Sequence, residues 1–307
     1  MRSVQGRFIE ANDVRGTLWS YEYSDPSAVP QPLELKNLPT TLSKGLHPLG
    51  IALWAPTRTL YVISHQHPLS LLIFTLSPDG TSATFQRQII HPLLQTPNSV
   101  TPISDHEIYF TNDHLFKASE NPLLAKLESY LAYPGGSVVY FDLSTDRGKK
   151  VASVPFANGV ALLKDGKRIA VSSTTMPAVL VYNIDALTHE LTLNKTLRAP
   201  LLVDNVKVDA GGKVLVAGHP WAPGVEEVST KNWEFDLDGT GEGKPESERP
   251  TAGSWVFEWD GNEEGTLRNL YVGMDYGTSS TAVRDSEKGV GLVVGLYEKG
   301  IMVWREK

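Results

Sequence analysis

The sequence contains no cysteine among its 307 residues. Disulfide bridges and cysteine-ligated zinc are therefore excluded, and the composition suits a reducing compartment. The sequence also lacks any run of about 18 apolar residues, so no membrane-spanning helix is predicted. Its first residues, MRSVQGRFIEANDVRG, lack the apolar centre of a signal peptide. We therefore expect a cytoplasmic location.

Positive charge is in the minority, because 28 lysines and arginines stand against 35 aspartates and glutamates, giving a net charge of −7. Without a basic stripe, nucleic acid is not an expected partner. The nucleophile motif G-x-S-x-G is missing as well, so a serine hydrolase is not indicated. Apolar residues make up 41% of the sequence, enough for a sizeable core, and all-β domains reach this length. The chain is predicted to be a single domain over residues 1–307.

A strand–turn–strand pattern with polar residues at both ends is repeated along the chain. The clearest copy is Leu201–Pro220, in which apolar and polar residues alternate before the turn at Gly211-Gly212. Asp204-Asn205 precedes the first strand and His219 follows the second. Such a hairpin should bring a carboxylate, an amide and an imidazole to one edge of a sheet.

The copies begin near residues 50, 98, 158, 205 and 280, and so are spaced by 48, 60, 47 and 75 residues. Repeats of this size, rich in short strands, predict an all-β fold of the propeller type, in which each copy supplies the inner strands of one blade. Before residue 47 only two strands are patterned, over residues 16–23 and 32–38. We therefore expect a six-bladed β-propeller whose first blade is incomplete and lacks its inner pair.

Two segments interrupt the repeat. In PLLAKLESYLAY, over residues 122–133, the apolar residues have helical spacing, and Pro122 suits the start of a helix. This short helix is expected over the channel mouth, where it either caps the blade ends or acts as a lid or membrane-docking element. The second segment, residues 221–254, is rich in Glu, Gly and Pro. It is expected to be a solvated loop over the same mouth.

Several short motifs resemble those of the serum paraoxonase/arylesterase family, in the same order over residues 16–304. They are PLGI at 48–51, TNDH at 111–114, FANG at 156–159, LVDN at 202–205 and GHP at 218–220. The resemblance implies a six-bladed propeller with two calcium ions in its channel. It also implies hydrolysis of lactones and aryl esters, so a small ester or lactone is the expected substrate.

By their match to the family's motifs, four residues would ligate the catalytic calcium: Asn98, Asn158, Asp204 and Asn205. Calcium accepts amide and carboxylate oxygens, and it would polarise an ester carbonyl. One asparagine at the start of a strand would more often be a turn former. Three at equivalent positions of three repeats favour a shared ion.

Two histidines, His65 and His219, match mouth histidines of the family that act as a base or as a proton shuttle. Histidine titrates near neutral pH, which suits both roles. The family's other dyad histidine is replaced by Leu49. His114 is expected to hydrogen-bond within the mouth, oriented by Asp113.

The chain departs from the family at the second, structural calcium. The acidic pair of the first blade has no counterpart, and Ser99 stands where a further carboxylate is expected. Only the Ile51 carbonyl would remain, so we expect one weakly bound calcium rather than two. Two alternatives stay open. The propeller could have lost catalysis and bind a ligand or partner, or an incorrect start codon could hide upstream strands.

Overall fold

A computed structural model of the protein describes residues 16–43, 45–236, 241, 243–261 and 264–306. These residues form a β-propeller of five blades, each built on an antiparallel meander that runs outward from an inner strand. The all-β propeller is therefore confirmed, but the described residues form five blades where six, the first of them incomplete, were expected. Residues 1–15 lie outside the described residues.

The strands and helices have the following bounds. Before the first blade lie β1 (Trp19–Ser20) and β2 (Gln31–Pro32). The first blade holds β3 (Glu34–Lys36), β4 (Pro48–Trp54), β5 (Thr59–Ser64), β6 (Ser70–Leu76) and β7 (Ser82–Ile89). The second holds β8 (Pro97–Pro102), β9 (Glu107–Asn112), β10 (Gly136–Asp142) and β11 (Arg147–Val154).

The third blade holds β12 (Ala157–Leu162), β13 (Arg168–Ser173), β14 (Ala178–Ile184) and β15 (Leu191–Arg198). The fourth holds β16 (Leu202–Val208), β17 (Val214–His219), β18 (Ser254–Trp259) and β19 (Arg268–Gly273). The fifth holds β20 (Ser279–Asp285), β21 (Val290–Gly295) and β22 (Met302–Arg305). The helices are α1 (Thr40–Ser43), α2 (Pro122–Tyr130) and α3 (Ala222–Lys231), with single 3₁₀ turns at Ala55–Thr57, Asn232–Glu234 and Glu246–Glu248.

The segment predicted as the outer part of a separate first blade is divided between two sheets. β1 pairs with β2, whereas β3 adds in parallel to the outer edge of β7. Leu18 and Leu33 are buried in the core of the neighbouring blade. Burying these side chains on an existing sheet explains why the segment does not form a blade of its own.

The same N-terminal segment joins the last blade to the first. The Tyr23 hydroxyl donates to Asp285 at 3.2 Å, and Arg305 donates to the Tyr23 carbonyl at 3.2 Å. At its other end, the Gly16 amide donates to the Leu46 carbonyl at 2.7 Å. Residues 16–36 therefore act as a strap between the fifth and first blades.

The hydrophobic core lies between successive blades. The second strand of a blade, such as β5 with Tyr61, Val62 and Ile63, is buried on both faces. Side chains from adjacent blades share one cluster, as Ile63 does with Phe110. A strand covered on both faces needs a continuous apolar run, and this explains the sequence of the second strand in each hairpin.

A buried ion-pair network joins the fourth and fifth blades at the end of the channel away from the mouth. Arg284 on β20 donates to Asp209 Oδ2 at 2.6 and 2.9 Å, and to Glu258 Oε2 at 2.8 Å. All three side chains are buried. Because each charge has a partner at hydrogen-bond distance, the network avoids the cost of an isolated buried ion.

Both long helices lie over the other end of the channel. The predicted helix at 122–133 is confirmed and ends at Tyr130. The prediction of a loop over 221–254 was wrong at its start, because Val225 and Val228 bury one face of α3 against Ala252 and Tyr297. Within the described residues, no helix has the length and apolar character needed to cross a membrane.

Two glycines at the same place in their blades allow inner strands to touch. A Cβ on Gly159 would lie 2.7 Å from Asn205 Cα and 2.6 Å from Val206 N. A Cβ on Gly50 would lie 2.2 Å from the Asn98 carbonyl oxygen. Any other residue there would push the inner strands apart.

We therefore predict that Gly159→Ala lowers the free energy of unfolding by about 1–3 kcal/mol, the usual cost of overpacking. Gly211→Ala is the matched control, since its Cβ would meet only side-chain atoms at 3.2 Å or more. The control should stay within about 0.5 kcal/mol of the parent. Urea unfolding of both variants measures these free energies. An equal loss of stability in the two variants would contradict the close approach of the inner strands as the explanation.

Candidate functional site

A β-bulge places the candidate residues at the start of each inner strand. In four blades, two residues of the inner strand face a single residue of the second strand. Such a bulge bends the strand and redirects its side chains. The paired residues are Leu49-Gly50, Asn98-Ser99, Asn158-Gly159 and Asp204-Asn205. All four predicted metal ligands therefore occupy bulge positions.

Asn158 is held from two sides by threonines. The Thr111 hydroxyl donates to its backbone carbonyl at 2.5 Å, and its side-chain Nδ2 donates to Thr174 Oγ1 at 3.2 Å. Its Oδ1 is buried and accepts no hydrogen bond from any of the described residues. An unpaired buried acceptor costs free energy, so this oxygen is suited to a ligand that supplies positive charge.

Asp204, Asn205 and His219 form a second, contiguous group. Asp204 Oδ1 accepts from Asn205 Nδ2 at 3.1 Å, and Oδ2 lies 3.4 Å from His219 Nε2. The backbone carbonyl of Asp204 accepts from Ser172. Asp204 and His219 are both buried, and within the described part of the chain His219 Nδ1 has no hydrogen-bond partner. The predicted proximity of Asp204, Asn205 and His219 is confirmed.

Thr174 connects this group to Asn158, because its hydroxyl also donates to the Val203 carbonyl at 2.7 Å. Gly159 packs on the Asn205 backbone in the same region. Asn158 and the Asp204-Asn205 pair thus lie on adjacent inner strands at the same height.

Asn98 and His65 lie together between the first and second blades. His65 Nε2 is 2.5 Å from the carbonyl oxygen of Pro97, the residue before Asn98. Asn98 Nδ2 is 3.5 Å from Asp113 Oδ2, a weak contact. That the Asn98 side chain shares one ion with Asn158 and Asp204 stays a prediction.

His114 links this part of the mouth to α2. Its Nδ1 lies 2.9 Å from Asp113 Oδ1 and its Nε2 lies 2.8 Å from Ser129 Oγ of α2. Burial alone would lower the pKa of His114, but the hydrogen bond and charge of Asp113, with Glu128, raise it above 6.5. The sequence-based role of Asp113 in orienting His114 agrees with these contacts.

Two further residues near the site were missed from sequence. His47 precedes β4 and accepts from the backbone amide of His65 at 2.9 Å, and burial, followed by the charge of His65, lowers the pKa of His47. Tyr297 lies beneath α3, where burial and the Asp204 charge raise the pKa of its phenol. Arg249 donates to the Tyr297 carbonyl at 2.6 Å and so ties the inserted segment to this loop. The cross-strand position of His47 could have revealed it, whereas Tyr297 is distant in sequence.

The residues fit one calcium ion. Within the described ranges, no three His, Asp or Glu side chains converge on a common point. A metal would therefore depend on amide oxygens such as Asn158 Oδ1 together with the Asp204 carboxylate. Calcium accepts this donor set, whereas zinc prefers histidine and cysteine.

The residues do not fit the second ion that the resemblance implies. Ser99 Oγ accepts from the Val160 amide at 3.3 Å and offers no charge. The Ile51 carbonyl oxygen accepts from the Lys207 ammonium at 3.1 Å. The oxygen that would have remained for a structural ion thus already faces a cation of the protein.

Comparison with known proteins adds the following. An arylesterase family model matches residues 23–232. Serum paraoxonase/arylesterase 1 of Mus musculus is 32% identical over 61% of this chain and 53% of its own length. Serum paraoxonase/lactonase 3 of Oryctolagus cuniculus is 30% identical over 68% of this chain and 59% of its own length. The chain therefore spans between 53% and 59% of these relatives.

Solved structures are similar in fold. A putative gluconolactonase aligns with a TM-score of 0.56 and 16% identity over 94% of this chain and 80% of its own. A periplasmic gluconolactonase of Pseudomonas aeruginosa aligns with a TM-score of 0.52 and 15% identity over 94% and 73%. At these identities the similarity shows the propeller fold alone.

We predict that Asp113→Asn lowers the pKa of His114, because burial then acts without the opposing charge. In the parent, a raised pKa stabilises the fold below about pH 6.5, and this contribution is lost as pH rises through the pKa of folded His114. The variant should lose that pH dependence above about pH 6.5. Histidine NMR titration and urea unfolding measure both effects, with the exposed Asp79→Asn as control. An unchanged His114 titration would contradict the assigned contact.

Proposed function

Because the chain belongs to the serum paraoxonase/arylesterase family, we propose that it hydrolyses lactones or aryl esters with one calcium ion in the propeller channel. The observation that carries the proposal is the buried, unpaired Asn158 Oδ1 beside the Asp204–His219 pair. An oxygen acceptor, a carboxylate and an imidazole at one mouth match the needs of ester hydrolysis.

Calcium, when bound, would supply charge that polarises the ester carbonyl and stabilises the developing oxyanion. Asn158, Asp204 and Asn205 would hold it, with Asn98 as a further ligand from the adjacent blade. Thr174 and Thr111 hold Asn158 in place, so its oxygen is oriented before any ligand arrives. Asp204 contributes a negative charge, which amide ligands alone would lack.

Proton transfer falls to the mouth histidines. Asp204 faces His219 Nε2, and this carboxylate would stabilise the imidazolium formed when His219 takes a proton from water. His65 is the second candidate. Its Nε2 faces the Pro97 carbonyl and therefore donates there, so a base function of His65 would fall on Nδ1.

Apolar side chains around the mouth favour small apolar esters as substrates. Trp221, at the start of α3, is 63% exposed, and Leu115 is 49% exposed beside α2. An apolar acyl or aryl group entering the channel would cover such surface. A propeller that binds a ligand without hydrolysing it is the competing outcome, and the loss of a dyad histidine at Leu49 is the feature that favours it.

The outer face of α2 supports a peripheral membrane contact as part of this proposal. Its exposed side chains are largely apolar, and they include Leu123, Leu127 and Tyr130. An apolar helix face at the rim would insert shallowly into a lipid surface. Because the chain is acidic overall, a zwitterionic surface is favoured over an anionic one.

We predict that Asn158→Ala reduces lactone or aryl-ester turnover by about 100-fold or more, because it removes a metal ligand. The unfolding free energy should change by less than about 2 kcal/mol, since only a hydrogen bond to Thr174 is lost. Asn183→Ala, on the exposed side of β14, is the matched control and should keep full activity. Turnover on a panel of esters, with and without chelator, measures the effect.

Chelation should abolish turnover, and added calcium should restore it. If the parent binds no calcium at millimolar concentration and hydrolyses no member of the panel, the enzyme proposal fails. The competing proposal, a propeller that binds a ligand without hydrolysing it, would then stand.

For the membrane contact, we predict that the double variant Leu127→Ser, Tyr130→Ser loses co-sedimentation with phosphatidylcholine vesicles. Leu187→Ser, Leu193→Ser removes exposed apolar residues elsewhere and should bind vesicles as the parent does. Equal binding by both double variants would exclude α2 as the contact.

A further inference from the structure

Lys207 joins two inner strands that are not neighbours in the ring of blades. It lies on β16 of the fourth blade, and its Nζ donates to the Ile51 carbonyl on β4 of the first blade at 3.1 Å. The inner strands β8 and β12 lie between these two along one side of the ring, and β20 lies along the other. The lysine side chain therefore reaches across the channel.

The Ile51 carbonyl explains what the ammonium does there. The inner strand β4 pairs with β5 on one edge only, so carbonyls on its other edge point toward the channel axis. Such an oxygen needs a hydrogen-bond donor or a cation. Lys207 supplies both.

We propose that the Lys207 ammonium takes the place of a second calcium ion in the channel, so that the protein carries one of its two channel cations as a side chain. The proposal rests on the calcium site of the proposed function. It explains why Ser99 offers no carboxylate at this level, since a single positive charge needs less compensation than a divalent ion.

A calcium ion and the ammonium cannot share this position. Both need the same carbonyl oxygen, and calcium would require it at about 2.3–2.6 Å. A calcium ion and an ammonium bound to the same oxygen would also repel each other strongly in a partly buried channel. Lys207 also stands two residues after Asn205 on the same strand, so its charge would oppose calcium at the proposed catalytic site. The proposal therefore links Lys207 to both the number of bound ions and their affinity.

The test is calcium titration by calorimetry on the full chain and four variants. The parent should bind at most one equivalent. Lys207→Met should tighten that binding about tenfold, because a repelling charge is removed while the side-chain length is kept. Lys207→Glu should add a second equivalent, since a carboxylate joins the Ile51 carbonyl. Lys150→Met and Lys150→Glu, at an exposed lysine of β11, should leave both values unchanged.

Two equivalents in the parent, or an affinity of Lys207→Met within about twofold of the parent's, would overturn the proposal. A Lys207→Glu variant that gains no calcium would overturn it as well. If the parent binds no calcium but the Lys207 variants do, the proposal about Lys207 stands. Calcium would then no longer be part of the proposed function. If the parent hydrolyses no ester while the titrations follow expectation, the proposed function fails alone.

Discussion

The geometry of the channel depends on a repeated backbone irregularity, two inner-strand residues opposite one. In a regular ladder, alternate side chains would point into the blade interfaces, where amides and carboxylates would be desolvated without partners. The bulge turns Asn158 and Asp204 away from those interfaces at the same level of neighbouring blades. Gly159 and Gly50 then allow adjacent inner strands to approach closely.

The two ends of the channel satisfy their polar groups to different degrees. At the end away from the mouth, Arg284 meets Asp209 and Glu258, so each buried charge is compensated. At the mouth, Asn158 Oδ1 and His219 Nδ1 have no hydrogen-bond partner among the residues that the structure describes. A folded chain tolerates such atoms where another energetic gain, such as ligand binding, offsets the cost. The contrast separates the stabilising end of the propeller from the end suited to chemistry.

Local patterns in the sequence predicted the inner hairpins well. Alternation, Gly-containing turns and polar strand ends all lie within about 15 residues of one another, so the relevant interactions are local. The parallel addition of β3 to β7 could not be read this way, because it pairs distant residues without a turn motif. The start of α3 was missed because Pro223 and Gly224 usually indicate a loop, whereas burial of Val228 under the insertion favours the helix.

In the candidate site, too, contacts within one hairpin could be predicted and contacts between distant residues could not. Asp204, Asn205 and His219 belong to one hairpin, so their proximity could be predicted. Tyr297 approaches Asp204, and Lys207 contacts Ile51, through tertiary contacts alone. Lys207 in particular fits an ordinary alternating strand, and nothing in its neighbouring sequence indicates a contact with Ile51.

The strap of residues 16–36 gives the ring a joint unlike those between its other blades. Between the second and fourth blades the chain passes directly from one meander to the next, whereas Tyr23 and Arg305 close the circle by hydrogen bonds near the surface. If these hydrogen bonds broke, the fifth blade could move away from the first while every blade stayed intact. Because the chain does not pass from the fifth blade back to the first, the hydrogen bonds of Tyr23 with Asp285 and Arg305 hold these two blades together at the strap.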